Sequence, residues 1–65
     1  MKKIDAGHYE GTQSGHTITV ISLVAASDGT SKERGWIYAV DGQSIDVAYS
    51  KADAERRARF AAING

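Results

Sequence analysis

The sequence contains no cysteine and no proline. Without thiols the chain forms neither disulfides nor thiolate metal sites, which are two of the supports that small domains commonly use. Its 65 residues are enough for one domain, and a domain of this size buries only about 60% of the surface that its unfolded chain exposes. We therefore expect a single domain over residues 1–65, with self-association or partner binding as its remaining source of extra stability.

An excess of charge of either sign is also missing. Eight lysine and arginine residues balance eight aspartate and glutamate residues, so the formal net charge is zero. Nucleic-acid-binding domains of this size usually carry a basic excess, because neutralising phosphates supplies most of their affinity. The charge balance makes nucleic-acid binding less expected, although it leaves room for a local basic surface.

Long apolar runs are absent too. The longest, "VISLVAA" at residues 20–26, is far too short to cross a bilayer. The first residues, "MKKIDAGHYEG", lack the apolar core of a signal peptide. We expect a soluble, cytoplasmic protein with no membrane contact.

The strongest local signal is the dipeptide Asp41-Gly42, a favoured two-residue loop of a β-hairpin. A type I′ turn needs positive φ at both central positions, and these residue types accept it. A two-residue loop sets the register of the two strands. The predicted cross-strand pairs are Val40 with Gln43, Tyr38 with Ile45, and Trp36 with Val47.

Alternation of side chains along each strand then assigns the residues of this hairpin to two faces. The bulky apolar residues share one face, which we expect to form the core. They are Trp36, Tyr38, Val40, Ile45, Val47 and Tyr49. The second face is predicted to hold Ile37, Ala39, Ser44, Asp46 and Ala48.

A helix start follows the hairpin. The segment "SKAD" at residues 50–53 matches the capping-box pattern, in which Ser50 accepts a hydrogen bond from the first free amides of the helix. The predicted helix runs from about Lys51 to Ile63 and stops at Asn64-Gly65. An alanine stripe at helical spacing lets such a helix lie close against a sheet. The stripe is Ala54, Ala58, Ala61 and Ala62, with Phe60 and Ile63 on its flank.

Residues 16–26, "HTITVISLVAA", are rich in β-branched side chains and predict a strand. Both faces of this segment are apolar, which is typical of a central strand or of one whose second face is also covered. The N-terminal segment before it is compatible with an edge strand. The sequence predicts the α+β class, with a three- or four-stranded antiparallel meander sheet and one C-terminal helix packed on one face.

One helix covers only one face of such a sheet, so apolar residues on the other face are expected to stay exposed. Contiguous exposed apolar surface usually marks an interface. We expect this face to bind a protein partner or a second copy in a homodimer, with preference for the partner. In the alternative, the N-terminal segment with Ile4 and Tyr9 folds over the face and closes it. The predicted interface residues are Ile37, Ala39, Asp46 and Ala48.

Residues able to carry out chemistry are few. His8 and His16, with Asp5 or Glu10, fall short of the three or four ligands at recognisable spacing that a zinc site needs. The segment "GTQSGH" lacks the strand-turn-helix setting of a nucleophile elbow, and "DGTSKERG" lacks the residue order of a phosphate-binding loop. We therefore expect no metal, no cofactor and no enzymatic activity.

The C-terminal helix carries a local basic cluster, offset by Asp53 and Glu55. The i,i+3 and i,i+4 spacings of these charges favour ion pairs along an ordinary solvated face. The alternative function is a small DNA- or RNA-binding domain that uses this helix together with Lys2 and Lys3. The candidate nucleic-acid contacts are Lys51, Arg56, Arg57 and Arg59.

The second half of the chain, "GWIYAVDGQSIDVAYSKADAERRARFAAING", resembles the layout of small three-strand-plus-helix domains. Similar layouts occur in short bacterial and phage domains of unknown function. They also occur in AP2-type and integrase arm-binding domains, in which a three-stranded sheet reads the DNA major groove. That reading implies arginine and lysine on the exposed sheet face, where this sequence is predicted to offer small, apolar and acidic residues. No functional residue is carried over from the resemblance.

On these grounds the first functional hypothesis is a non-enzymatic protein-interaction module. In size and single-domain layout the chain is similar to phage and mobile-element accessory proteins such as anti-CRISPR inhibitors, which occupy a surface of a larger partner. This likeness implies a small inhibitor or accessory protein. The second hypothesis is the nucleic-acid-binding domain, which requires the basic side chains to converge on one surface.

Overall fold

The computed structural model describes residues 1–30 and 32–64, which form a five-stranded antiparallel sheet with a C-terminal helix. The strands lie in the sheet in chain order: β1 (Lys2–Asp5), β2 (His8–Gln13), β3 (His16–Ser22), β4 (Trp36–Val40) and β5 (Gln43–Ala48). A short helical turn, α1 (Leu23–Ala26), follows β3, and the C-terminal helix is α2 (Lys51–Asn64). The predicted α+β class is confirmed, but the sheet has five strands rather than three or four.

The additional strands come from the N-terminal segment, which turns twice. β1 and β2 pair on either side of a turn at Ala6-Gly7, and β2 and β3 pair on either side of Ser14-Gly15. Gly7, Ser14 and Gly15 have positive φ of 72°, 54° and 80°, and glycine adopts such angles without steric cost. A single glycine after an alanine is a weak turn signal, so the sequence alone indicates only one edge strand here.

β3 ends at Ser22, whereas the sequence predicts a strand that continues to residue 26. The Ser22 hydroxyl accepts a hydrogen bond from the backbone N–H of Ala25 at 3.0 Å and so caps α1. Serine is favoured at this position because the first amides of a helix have no intrahelical partner. The apolar residues that follow Ser22 therefore leave the sheet instead of extending it.

The hairpin of β4 and β5 turns at Asp41-Gly42, as predicted. The φ angles of these residues are 52° and 80°, and a type I′ loop needs positive φ at both positions. Val40 pairs with Gln43, which confirms the first predicted cross-strand pair.

A β-bulge interrupts this hairpin one step further along. Ala39 pairs with Ser44, but the next residue of β4, Tyr38, pairs with Asp46. Ile45 is therefore an extra residue in β5, the arrangement that defines a bulge. The predicted pair of Tyr38 with Ile45 is wrong for this reason.

Beyond the bulge, the residues of β5 lie on the face opposite to the predicted one, because a one-residue slip inverts the alternation of side chains. Trp36 pairs with Ala48, and Ile37 pairs with Val47. The predicted pair of Trp36 with Val47 is therefore wrong, and these two residues lie on opposite faces. In the structure Asp46 and Ala48 lie on the side of the sheet that carries the helix, and Val47 lies on the other side.

α2 packs across β3 and β4 on one face of the sheet and forms the core there. Ile18 and Val20 of β3 are completely buried, and Tyr38 of β4 belongs to the same cluster. Fully burying an isoleucine or valine side chain contributes roughly 1.5–3 kcal/mol, so these two residues dominate a small core. From α2 the buried residues are Ala54, Ala58 and Ala62, which confirms the predicted alanine stripe apart from the half-buried Ala61.

α2 begins at Lys51, as predicted, and continues to Asn64, just past the predicted end. The Ser50 hydroxyl accepts from the backbone N–H of Asp53 at 3.1 Å, which confirms the predicted cap. Gly65, the second residue of the predicted stop signal, lies outside the described residues. Within the part of the chain that the structure describes, no helix has the length and apolar character needed to cross a membrane.

Candidate interaction surfaces

The sheet face opposite α2, called the open face below, carries a group of apolar side chains. The cross-strand ladder puts Ile21 of β3, Ile37 of β4 and Val47 of β5 side by side on this face. Ala39 follows Ile37 on the same side of β4, and Leu23 extends the row at the start of α1. We call these five residues, Ile21, Leu23, Ile37, Ala39 and Val47, the apolar patch.

Gly35 makes the patch continuous. This residue is buried and has a φ of 155°. A Cβ atom built on it would lie 2.9 Å from Leu23 Cδ1 and 2.9 Å from Val47 Cγ1. Because glycine has no side chain, the two apolar side chains approach each other over its backbone.

The apolar patch is only partly covered by its surroundings. Val47 is 47% exposed, and the other four residues are half-buried. The neighbouring positions of β2 and β3 on the open face are polar, and a patch with a polar rim is typical of a protein interface. The polar positions on β2 and β3 are His8, Glu10, Thr12, Thr17 and Thr19.

The structure separates the four residues predicted to form an interface. Ile37 and Ala39 lie together in the apolar patch, whereas Ala48 is buried beneath α2 at 6% exposure. Asp46 is exposed but pairs with Tyr38 on the helix side of the sheet. The bulge is the cause of this division, and it also brings Val47 into the patch. No residue type in β5 signals the bulge.

The N-terminal segment extends the sheet and does not close the open face. Tyr9 lies on the helix side, where its ring centroid is 6.1 Å from that of Trp36. The ammonium nitrogen of Lys51 lies 3.7 Å from the centroid of the Tyr9 ring on the same side. Ile4 lies in the edge strand β1 and is 49% exposed.

Two of the basic residues of α2 point towards β2. Lys51 contacts Tyr9 through the cation–π interaction just described. Arg59 donates from Nε to the carboxylate of Glu55 at 3.1 Å. The Nη1 of Arg59 also donates to the backbone oxygen of Thr12 and to Gln13 Oε1, both at 3.1 Å. These contacts hold Arg59 along the β2 flank of the helix.

The other two basic residues lie on the β5 flank and share one carboxylate. Arg56 Nη2 and Arg57 Nε donate to the two oxygens of Asp53 at 2.5 and 2.9 Å. These hydrogen bonds lower the pKa of Asp53, with Arg56 the larger cause. The same carboxylate, with a smaller contribution from Tyr38, raises the pKa of Arg57. The four predicted nucleic-acid contacts therefore do not converge on one surface.

A third polar contact joins the ends of two hairpins. His16 Nδ1 lies 2.6 Å from Asp41 Oδ2, and the other carboxylate oxygen accepts from the backbone N–H of Thr17 at 3.0 Å. A carboxylate accepts only, so the Nδ1 of His16 carries the proton of this hydrogen bond. The bond to His16, followed by that from Thr17, lowers the pKa of Asp41.

The residues considered for chemistry stay apart. His8 lies in β2 between Asp5 of β1 and Ile21 of β3, while His16 contacts Asp41. Among residues 1–30 and 32–64, no three His, Cys, Asp or Glu side chains form a group able to hold a metal ion. The absence of metal, cofactor and enzymatic activity stays a prediction.

Comparison with other proteins adds no relative. No protein-family model, no curated protein and no solved structure matches the chain.

Proposed function

We propose that this protein is a non-enzymatic protein-interaction module whose apolar patch binds a partner protein. The observation that carries the proposal is the row of Ile21, Ile37 and Val47 on a sheet face that α2 does not cover. Burying apolar surface is the main favourable term in most protein association. The half-buried isoleucines form the floor of the patch, and Val47 projects from it.

The two edges of the sheet offer less to a partner than its open face. β1 is short, carries Lys2 and Lys3, and has an irregular register. β5 carries the bulge at Ile45, and Asp46 Oδ1 accepts from the backbone N–H of Val47 at 2.8 Å. Lysines, bulges and short length are the features by which proteins block pairing at sheet edges. Recognition through the face is favoured on these grounds.

The size of the chain supports the kind of function that we propose for it. A domain of 65 residues with a small core offers a binding surface and little room for a substrate pocket. We propose a cytoplasmic accessory or inhibitor protein of phage type, similar to anti-CRISPR inhibitors, that occupies a surface of a larger partner. A homodimer formed through the same patch is the competing arrangement.

Nucleic-acid binding by α2 draws less support. Arg56, Arg57 and Arg59 each donate to a carboxylate of the same helix, and Arg59 lies on the flank opposite to the other two. A DNA-binding helix typically presents such side chains together towards the phosphates.

The test compares two lysine substitutions on the open face. Ile37→Lys puts a charge in the apolar patch, and Thr12→Lys puts the same charge on the same face outside it. Tagged wild-type protein and both variants are expressed in the native host, and the co-purified protein is quantified. Sedimentation of each purified chain at tens of micromolar reports self-association.

We expect Ile37→Lys to lose the partner, or the dimer, while remaining folded, and Thr12→Lys to retain it. The proposal is contradicted if wild-type protein is a strict monomer without a partner and Ile37→Lys unfolds. In that case Ile37 belongs to an internally filled surface. Equal retention of the partner by both variants contradicts it as well.

A further inference from the structure

α2 covers the helix side of the sheet unevenly. It packs mainly on β3 and β4 and contacts β5 less. Ala48 at the end of β5 is buried, whereas Ile45 in the bulge stays 49% exposed. A groove therefore remains between α2 and β5, on the side of the sheet opposite to the apolar patch.

The groove is continuous along the helix and has three adjoining sections. Ile45 and Ala61 line both the section near the β4–β5 turn and the central section, and Arg56 lines both the central section and the one near Ser50. α2 has 14 residues, which corresponds to about 21 Å of helix. An extended peptide rising about 3.3 Å per residue spans this length with about six residues.

The central section of the groove has two large, exposed apolar side chains in its walls. Phe60 on α2 is 69% exposed and faces the same section as Ile45 on β5. Tyr38 and Ala61 complete its apolar lining. Single exposed apolar residues are common, but here two large ones line one groove from two different elements.

The charge of the central section is positive. Arg56 and Arg57 line it, and among residues 1–30 and 32–64 no carboxylate side chain is part of its lining. The two guanidinium side chains are 79% and 55% exposed, whereas the Asp53 side chain that they share is 22% exposed. One carboxylate against two guanidinium groups leaves a single positive charge. Each guanidinium has five N–H donors, so both retain donors for a further acceptor.

Two acidic residues lie near the other wall. Asp41 lines the section near the β4–β5 turn, where its carboxylate contacts His16 and Thr17. The Asp46 carboxylate accepts from the backbone N–H of Val47, and Asp46 is not part of the central lining. The positive charge beside Ile45 and Phe60 is therefore not cancelled within the central section.

We propose that this groove is a second docking site, which binds an extended acidic and apolar segment of a protein partner. An apolar side chain of the segment lies between Ile45 and Phe60, and an aspartate or glutamate accepts from Arg56 and Arg57. Arginine and aromatic residues are the types that most often dominate binding energy at interfaces. The apolar walls favour a peptide over a nucleic-acid backbone. The site is independent of the apolar patch and goes beyond the proposed function.

The experiment selects ligands from a displayed library of random hexapeptides and maps their binding by NMR. The purified full chain is the bait, and selected peptides are titrated into isotope-labelled protein. We expect enrichment of peptides that combine a large apolar residue with aspartate or glutamate. Their binding should shift the amide signals of Ile45, Arg57 and Phe60 and leave that of Ile37 unchanged.

Two pairs of variants provide matched controls. Phe60→Ser and Arg57→Gln each alter the groove, while Ile63→Ser and Arg59→Gln make the same changes elsewhere on α2. We expect each groove variant to weaken peptide binding about tenfold or more, the loss typical of a residue central to an interface. The two control variants should bind as the wild type does.

Several results would overturn the second site. They are the failure of any peptide to enrich, enrichment of basic peptides, or equal weakening by groove and control variants. A twelve-nucleotide single-stranded DNA that shifts the same signals more strongly than the peptides would also overturn it. Ile37→Lys should leave peptide binding intact, so failure of this site and failure of the apolar patch are told apart.

Discussion

Gly35 occupies a position where a side chain would collide on two sides. Its backbone has a φ of 155°, in a region that side-chain-bearing residues rarely adopt. Leu23 and Val47 close over it from neighbouring elements. This one residue links the local conformation of the chain to the continuity of the apolar patch.

We expect Gly35→Ala to lower the free energy of unfolding by about 2 kcal/mol or more, from backbone strain and overpacking together. Gly29→Ala is the matched control, because Gly29 also has positive φ, at 83°, but no atom lies within 4 Å of its added Cβ. The control should lose roughly 1 kcal/mol from the backbone alone. Urea denaturation measures the free energy of unfolding of both variants. An equal loss in the two would show that Leu23 and Val47 do not restrict a side chain at position 35.

At the scale of elements, the contact of His16 with Asp41 ties the β2–β3 hairpin to the β4–β5 turn. Asp41 lies in the turn and contacts two consecutive residues at the start of β3, His16 and Thr17. Its backbone N–H also donates to the Thr17 oxygen at 2.8 Å. The two hairpins are therefore fastened together at the end of the sheet where the bulge changes the register.

This contact makes stability depend on pH in a defined direction. The folded protein lowers the pKa of Asp41 below its usual 3.8, so the unfolded chain binds the proton more readily. The stabilisation is present above pH 3.8 and is lost as pH falls through the lower folded pKa. We expect Asp41→Asn, which tolerates the turn conformation, to be less stable than wild type at neutral pH. The difference should vanish in strong acid.

The control for this prediction is the same substitution in a His16→Phe background. Because the hydrogen bond to His16 is the largest cause of the shift, the effect of Asp41→Asn should be smaller there. Thermal unfolding followed by circular dichroism across the acid range measures all four proteins. An unchanged effect of Asp41→Asn in the absence of His16 would contradict the coupling.

Turns and caps were the elements that the sequence predicted best. Asp41-Gly42 and Ser50 act through their own backbone conformation and nearby amides, so the residue types are sufficient signals. The bulge at Ile45, in contrast, has no local residue signal in β5. The pattern of Ile45, Val47 and Tyr49 reads as one apolar face, yet the structure buries the intervening Ala48 and leaves Tyr49 90% exposed. Ala48 belongs to the same buried cluster as Ala54, Ala58 and Ala62 of α2, and this tertiary contact cannot be predicted from the alternation of residues along β5.

For the whole molecule, the main feature is a small core between one helix and one sheet face. Ala48, Ala54, Ala58 and Ala62 make up more than half of the buried hydrophobic cluster. Alanine buries little apolar area, so the core gives limited stability for a chain of 65 residues. A partner that binds only the folded state adds stability by mass action. In the function that we propose, a partner that covers the apolar patch would therefore also stabilise the fold.

The candidate sites were predicted in part. The apolar character of both faces of residues 16–26 indicated an exposed face, and Ile37 and Ala39 were correctly assigned to the side away from α2. The full patch depends on Val47, whose position follows from the bulge. The α2–β5 groove depends on where the helix lies across the strands, which is a property of tertiary packing and has no local signal.

Photo-crosslinking from the open face in the native host tests directly whether the apolar patch is an interface. A benzoylphenylalanine replaces Val47 in the apolar patch in one protein and Thr12 in the polar part of the same face in another. We expect a discrete crosslinked product from position 47, either with a partner or with a second copy, and none from position 12. Absence of a product from folded protein labelled at position 47, or equal products from both positions, would contradict it.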